Sequence, residues 1–223
     1  HGDSLLVAVF ETQLTFGFGV CHSYTPELPR RTATRTRGHE VLEIDGRPAD
    51  AVFAEMLGTS VDELRGKDLC SFSPMAVDMV TPDAGYTITL PRCLTESHGV
   101  RLAQSVEEGS SISVMRVNSN NVARSGGQAV LRALASGRVA KPAVVLAFAD
   151  AARERMLGEQ MVEDIAGLSR WTEGVPTVGI LTSGEAGVCD DGVNRFGNGL
   201  VSTLVLGEEL TPAAELWQEN RQL

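Results

Sequence analysis

The chain has 223 residues, 43% of them hydrophobic, with a formal net charge of −10 and a pI near 4.9. Such length and apolar content suffice for one large domain or two small ones with a packed core, and exclude a disordered chain. The acidic balance argues against nucleic acid and anionic membranes as partners, because both repel it, and leaves a small ligand or a protein.

No apolar run approaches the roughly 20 residues of a spanning helix, and the start lacks the basic-then-apolar order of a signal peptide. A soluble, cytoplasmic protein with no membrane insertion is expected. Cys21, Cys70, Cys93 and Cys189 are widely scattered, without the close pairs of a zinc site, and read as reduced, mostly buried thiols.

Residues 5–10 and 14–20 are apolar runs around a short polar turn and predict a hairpin, the second strand continuing into CHSYTPELP. Residues 32–37 and 40–44 follow as extended segments, and Asp45-Gly46 turns the chain. Pro48 suits a first helical turn, Val52, Phe53, Met56 and Leu57 form one apolar face, and Gly58 ends it. Ser60 and Glu63 then have the spacing of a capping box for a second short helix.

Residues 69–85, with Pro74 and Pro82, read as a connection packed through Met75, Val77, Met79 and Val80. Residues 86–90, 99–105 and 111–117 have the spacing of an antiparallel meander. In the last of these, Ile112, Val114 and Arg116 share one face, with Ser113, Met115 and Val117 on the other. Arg92 and Arg116 are candidate anion contacts at strand ends. The ordinary alternative is an arginine facing solvent or paired to a carboxylate.

Residues 118–121 offer several N-caps for a helix reaching Ala135, with Gly126-Gly127 as a weak point and Gly137 as its end. Residues 142–148 are continuously apolar and predict an interior strand. Residues 152–168 carry Leu157, Met161, Ile165 and Leu168 at helical spacing, a stripe that core packing explains. Asp150, just before that helix, is either its N-cap or a polar ligand contact, and the cap is the simpler assignment.

The richest stretch is 176–206. Two apolar strands, 177–181 and 200–206, both expected in the core, flank a loop of glycines, hydroxyls, carboxylates and amides. Thr182, Ser183, Gly184, Glu185 and Asn198 are its candidate ligand contacts, since glycines at this density let backbone amides approach a ligand closely. A long hairpin with an ornate turn is the plainer alternative. Residues 211–223 place Leu216 and Leu223 seven apart after Thr211 and Pro212, as the start of a coiled coil or as a docking helix burying Trp217.

Three segments carry a family resemblance. GILTSGEAG followed by RFGNGLV resembles the end of the FIST C-terminal domain, roughly G-F-Y-T-Y-G-E-I-G and then F-H-N-x-T-L-V. Thr182, Gly184, Glu185, Gly187, Phe196 and Asn198 match; Ser183 replaces an aromatic and Gly197 a histidine. Phe148, Ala151, Arg153, Leu157, Gly158 and Glu159 match the middle of that domain, with Asp150 at its usual cysteine. Arg35, Gly38, Val41, Glu43, Asp45, Gly46, Pro48 and Ala49 are similar to the tail of the FIST N-terminal domain.

The resemblance implies a sensory module in three parts: 1–68 as the N-terminal-domain tail, 69–210 as the C-terminal domain and 211–223 as a connector helix. It implies a small ligand such as an amino acid, and a signalling output domain or partner protein, with a homodimer also possible. The pattern of apolar strands and helices predicts an α+β fold with largely antiparallel or mixed sheets covered by helices. For an amino acid, Glu185 is expected to take the ammonium, and Arg116 or backbone N–H groups the carboxylate. The alternative within the family is a haem-based gas sensor with His22 or His98 as axial ligand. A hydrolase is the further alternative, but Ser183 sits in T-S-G rather than G-x-S-x-G, and no catalytic residue is assigned.

Overall fold

The computed structural model describes residues 7–22, 24–71, 75–78, 86–117, 119–188 and 192–212. Strand β1 (Leu14–His22) leads, followed by β2 (Tyr24–Pro26), β3 (Arg31–Arg37), β4 (Glu40–Ile44) and β5 (Arg47–Pro48). Helix α1 (Ala49–Leu57) starts after Pro48 and ends at Gly58 in the left-handed region, φ 68°. Helix α2 (Val61–Leu64) opens with both hydrogen bonds of the capping box made by Ser60 and Glu63. The end of α1 and the start of α2 are where the sequence signals place them.

The chain continues through β6 (Met75–Asp78), β7 (Tyr86–Thr89), β8 (Pro91–Leu94), β9 (Val100–Leu102) and β10 (Ser111–Val117). Helix α3 (Ser119–Gly137), β11 (Pro142–Asp150), α4 (Ala152–Leu157) and α5 (Met161–Ser169) come next. Strands β12 (Thr177–Thr182), β13 (Glu185–Val188), β14 (Asn194–Gly197) and β15 (Leu200–Leu210) close the fold. One sheet has the order β1-β15-β11-β12, antiparallel except for the parallel β11–β12 pair; the larger runs β7-β6-β10-β3-β4-β9-β8, with β2 on β10 and β5 on β4. Strands β13 and β14 form a separate hairpin. The architecture is the α+β class that the sequence predicts.

Each sheet has its own apolar core. Around the larger one, Val41, Ile44, Val52, Phe53, Leu64 and Ile112 are at most 1% exposed, α1 covering the strands with its Val52–Phe53 face. Ala129, Val130 and Ala133 of α3 bury Val145, Val201 and Val205 of the smaller sheet. Val20, Tyr24, Ile88, Met115 and Leu200 join the two units. Full burial of an aromatic such as Phe53 stabilises by about 1.5–3 kcal/mol.

Several local expectations give way to long-range pairing. β1 pairs with β15 along its length rather than with residues 5–10, of which 7–10 carry no strand and 5–6 lie outside the described residues. The predicted meander is not formed: β7 pairs with β6, β9 with β4 and β8, and β10 with β2, β3 and β6. The expected core strand 177–181 is instead the edge strand β12, with Val178 and Ile180 each 53% exposed and Leu181 50%. β11 is interior, between β15 and β12, as its apolar run predicts. The single helix expected over 152–168 is broken at Gly158, φ 51°, into α4, a short 3-10 turn and α5. Met79, Val80, Asn118, Cys189 and residues 213–223, including most of the expected connector helix, lie outside the described residues.

Glycines set the distance between α3 and its neighbours. A Cβ on Gly19 would lie 1.9 Å from the Ala129 carbonyl oxygen, and one on Gly17 2.0 Å from that of Ala133, so β1 and α3 touch backbone to backbone. Ser136 fastens the contact, its hydroxyl donating to the Phe18 carbonyl at 2.7 Å. Gly126 and Gly127 do not interrupt α3; a Cβ on Gly126 would lie 2.6 Å from Asp164 O and one on Gly127 3.0 Å from Gly167 O, where α5 crosses. The substitution Gly19→Ala should therefore cost about 3 kcal/mol or more, the upper end of overpacking effects. Gly179→Ala, where the nearest atom to a Cβ is 4.0 Å away, should stay within about 0.5 kcal/mol. Equal shifts in urea midpoint for the two would contradict the backbone contact.

Candidate functional site

Strands β12 and β13 meet at Ser183-Gly184, and the residues flanking this turn converge. Gly184 has φ 146°, and a Cβ there would lie 2.4 Å from Phe196 Cζ and 3.1 Å from Asn198 Nδ2, so glycine is required. Asn198, 1% exposed, donates through Nδ2 to the Ser183 carbonyl at 3.4 Å. Glu185, 3% exposed, contacts the Thr182 hydroxyl through Oε1 and accepts from the Leu200 N–H through Oε2 at 3.3 Å. Thr182, Ser183, Gly184, Glu185 and Asn198 are thus brought together.

Behind them lies a charged cluster that the strand and helix ends supply. Asp150 ends β11; its Oδ1 accepts from the Ala152 N–H at 2.8 Å and its Oδ2 from the Gly199 N–H at 2.7 Å, so it serves the start of α4 and the β14–β15 turn together. Arg153, 1% exposed on α4, donates to the Gly199 carbonyl at 3.0 Å and to Ser125 Oγ and Asp164 Oδ2 at 2.6 Å each, while its Nε has no partner. Asp164 of α5 also accepts from Ser125 Oγ and from the Gly126 N–H, both at 2.9 Å. Three buried carboxylates thus surround one buried guanidinium.

Of the three, Glu185 has a protonation shifted chiefly by its burial. Burial, reinforced by the Asp150 charge, pushes Glu185 up to about 7, against the pull of Thr182, the Leu200 N–H and Arg153. Burial also lowers His22 to about 4, with Arg132 and Arg153 adding to the effect, and raises Tyr24 and Cys21. His22 and Tyr24 are stacked, their rings 6.0 Å apart at 15°. Tyr24 in turn leans on the turn at Gly199, φ 68°, where a Cβ would lie 2.3 Å from its hydroxyl.

The two candidate arginines are placed elsewhere. Met115 of β10 packs with Tyr24 and Leu200, so the adjacent Arg116 points to the opposite face, where it is exposed and ion-paired with Glu27. Arg92 is exposed and donates to Cys70 Sγ at 3.0 Å. His98 sits in the β8–β9 turn, its Nδ1 3.0 Å from Asp50, whereas His22 ends β1 in the other unit. Arg153, Asp164 and Ser125 escaped the sequence reading as site residues, although Arg153 stands at a position matching the family pattern. Among the described residues there is no group of three or more potential metal ligands, and Cys21, Cys70 and Cys93 are free.

Removing the guanidinium would leave Asp164 buried and uncompensated. Arg153→Met should cost about 3–5 kcal/mol, and adding Asp164→Leu should recover part of that, as for other buried pairs. Urea unfolding of both variants checks this, and full additivity would show that the two side chains do not act together. Glu185 also gives a pH dependence with a defined sign. Its folded value of about 7 lies above its ordinary 4.5, so its contribution is fully present below about 4.5 and lost as pH rises to about 7. Glu40, lowered to about 2 by hydrogen bonds from Ser97, Thr95 and Arg37, contributes above about 4.5 and loses this as pH falls toward 2. Glu185→Gln should flatten the decline in stability between about 4.5 and about 7 and leave the acid limb in place.

The family description FIST C domain matches residues 49–188, from the first residue of α1 to the last of β13. The match takes in Asp150, Arg153, Asp164, Thr182 and Glu185. No curated protein and no solved structure gives a significant match. FIST domains are in general kind sensory domains of signalling proteins. On a match that covers more than half its length, the chain belongs to the FIST C domain family.

Proposed function

We propose that this chain is the ligand-sensing part of a signalling protein and that it takes an uncharged, largely apolar small molecule. The supporting observation is a groove of about 570 Å³ between the β13–β14 hairpin and the sheet face opposite α3. Phe16, Phe18 and Phe148, each about 40% exposed, form its floor, with Leu146, Leu204 and Leu206 beside them. Ala186, Gly187, Val188 and Asn194 make the hairpin wall, and Ser202 lies between wall and floor, its hydroxyl donating to the Ala186 carbonyl at 3.1 Å. The volume and the few polar groups suit a small-molecule site.

Among the described residues the lining contains no charged side chain, so a zwitterion would find no counter-charge there. An amino acid would instead have to engage Glu185 and the turn amides at the hairpin base. Neither His22 nor His98 lines the groove, and nothing there favours the haem alternative. The Thr182–Asn198 cluster, in this reading, fixes the wall against which the ligand rests. Among the described residues no helix is long and apolar enough to cross a membrane.

Ala186 faces outward on β13, so Ala186→Trp fills the groove without touching the buried cluster. A thermal-shift panel of uncharged aromatic and aliphatic compounds, run beside the free amino acids, should give binders whose affinity Ala186→Trp lowers at least about tenfold, or roughly 1.4 kcal/mol. A panel in which only amino acids bind, with affinity unchanged in Ala186→Trp, would reject the groove.

A further inference from the structure

The base of the hairpin contains a hydroxyl with more acceptors than protons. Thr182 Oγ1 lies 3.2 Å from the Ala149 carbonyl oxygen and also contacts Glu185 Oε1. A hydroxyl has one proton to donate, and a carbonyl can only accept. Both contacts are hydrogen bonds at once only if Thr182 donates to Ala149 and the Glu185 carboxyl donates to Thr182. When Glu185 is ionised, the Thr182 proton can serve one of the two.

The surroundings favour the protonated arrangement. The charges of Asp150 on β11 and Arg153 on α4 act on Glu185, and Glu185 acts on Tyr24 of β2; His22 on β1, Arg132 on α3, Asp164 on α5 and Arg195 on β14 are further titratable or charged groups on the elements around them. His22 and Tyr24 are neutral at physiological pH, the first lowered to about 4 and the second raised. Arg153 is committed to Asp164 and the Gly199 carbonyl, and Arg132 to the Val20 carbonyl at 2.6 Å. Between Leu200 and Gly207, β15 carries no charged residue. An ionised Glu185 therefore adds a second carboxylate charge to that of Asp150, in a site 2–3% exposed, where the cation acting on it, Arg153, is already engaged with Asp164.

We propose that a protonated Glu185 latches the β13–β14 hairpin to the ends of β11 and β15, and that loss of this proton releases the hairpin. The latch has two sides. Glu185 Oε2 holds the Leu200 N–H, and Asp150 holds the neighbouring Gly199 N–H. Repulsion between the two carboxylates pushes apart the segments that these amides join. Since Ala186 to Val188 wall the groove, the proton would set how far that groove stands open. The latch is independent of whether the groove takes a ligand.

Amide hydrogen exchange of the full chain, expressed as protection factors between about pH 5.5 and pH 8.5, tests this. Amides of 185–188 and 194–200 should lose protection by up to about tenfold per pH unit between about pH 5.5 and about 7 and level off above it, as the linkage of a carboxyl raised to about 7 requires, while those of β1 and α3 keep theirs. Glu185→Gln, uncharged at every pH, should hold the hairpin protected throughout. A flat wild-type profile, or the same loss in Glu185→Gln, would overturn the latch. If Glu185→Gln does not fold, carbon-13 titration of the Glu185 carboxyl in the unaltered chain decides: a midpoint near 7 supports the latch, and one near 4.5 overturns it.

Discussion

The desolvated guanidinium of Arg153 is the constraint around which the molecule is arranged. A charge that is 1% exposed persists only with partners in good geometry, and its partners come from separate parts of the chain: Ser125 on α3, Asp164 on α5 and the Gly199 carbonyl in the β14–β15 turn. Each partner is itself fixed by another contact. Asp164 accepts from the Gly126 N–H, which α5 reaches only because Gly126 has no side chain, and Gly199 donates to Asp150. Helices and turn are thereby tied at one point. The same point fixes the surplus of buried negative charge that falls on Glu185.

Chemistry and shape are divided between two faces of the smaller sheet. On one, α3 lies so close to β1 that only glycine fits between them, over an apolar core edged by the Ser136 and Arg132 hydrogen bonds to β1 carbonyls. On the other, aromatic side chains stand uncovered, and the β13–β14 hairpin forms the wall of a groove above them. The polar cluster lies at the strand ends, beneath that hairpin. An outer groove with an apolar floor is thus backed by an inner cluster of buried carboxylates and one guanidinium.

Much of this was legible from the residues, and what was not has a common cause. The caps of α1 and α2, the interior position of β11 and the convergence of Thr182, Gly184, Glu185 and Asn198 rest on local signals: a capping spacing, a continuous apolar run, a dense set of glycines. The partner of β1 was not legible, because residues 5–10 offer an adjacent apolar run while β15 lies at the far end of the chain. Gly126-Gly127 reads as a weak helix until α5 is seen to cross there. The run 177–181 is as apolar as a core strand, yet no residue in it records that the sheet stops at β12. Strand alternation separated Arg116 from Met115 correctly, but which face held the polar cluster depended on the packing of Tyr24 and Leu200. Arg153 matches the family pattern, but its burial arises from three contacts distant in sequence, which no local signal records.

The pairing of β1 with β15 also has a consequence in time. Thr203 reaches the Gly19 carbonyl across 184 residues of sequence, and Leu14 pairs with Leu210. At a synthesis rate of about 5–20 residues per second, β1 waits roughly 10–40 s for its partner strand to be made. During that interval Phe16 and Phe18 belong to a strand with no sheet, and the larger unit, whose strands lie between residues 24 and 117, can already be complete. On the ribosome β1 therefore precedes the larger unit in synthesis and follows it in assembly, a non-local closure of the kind that folds slowly and needs protection from aggregation.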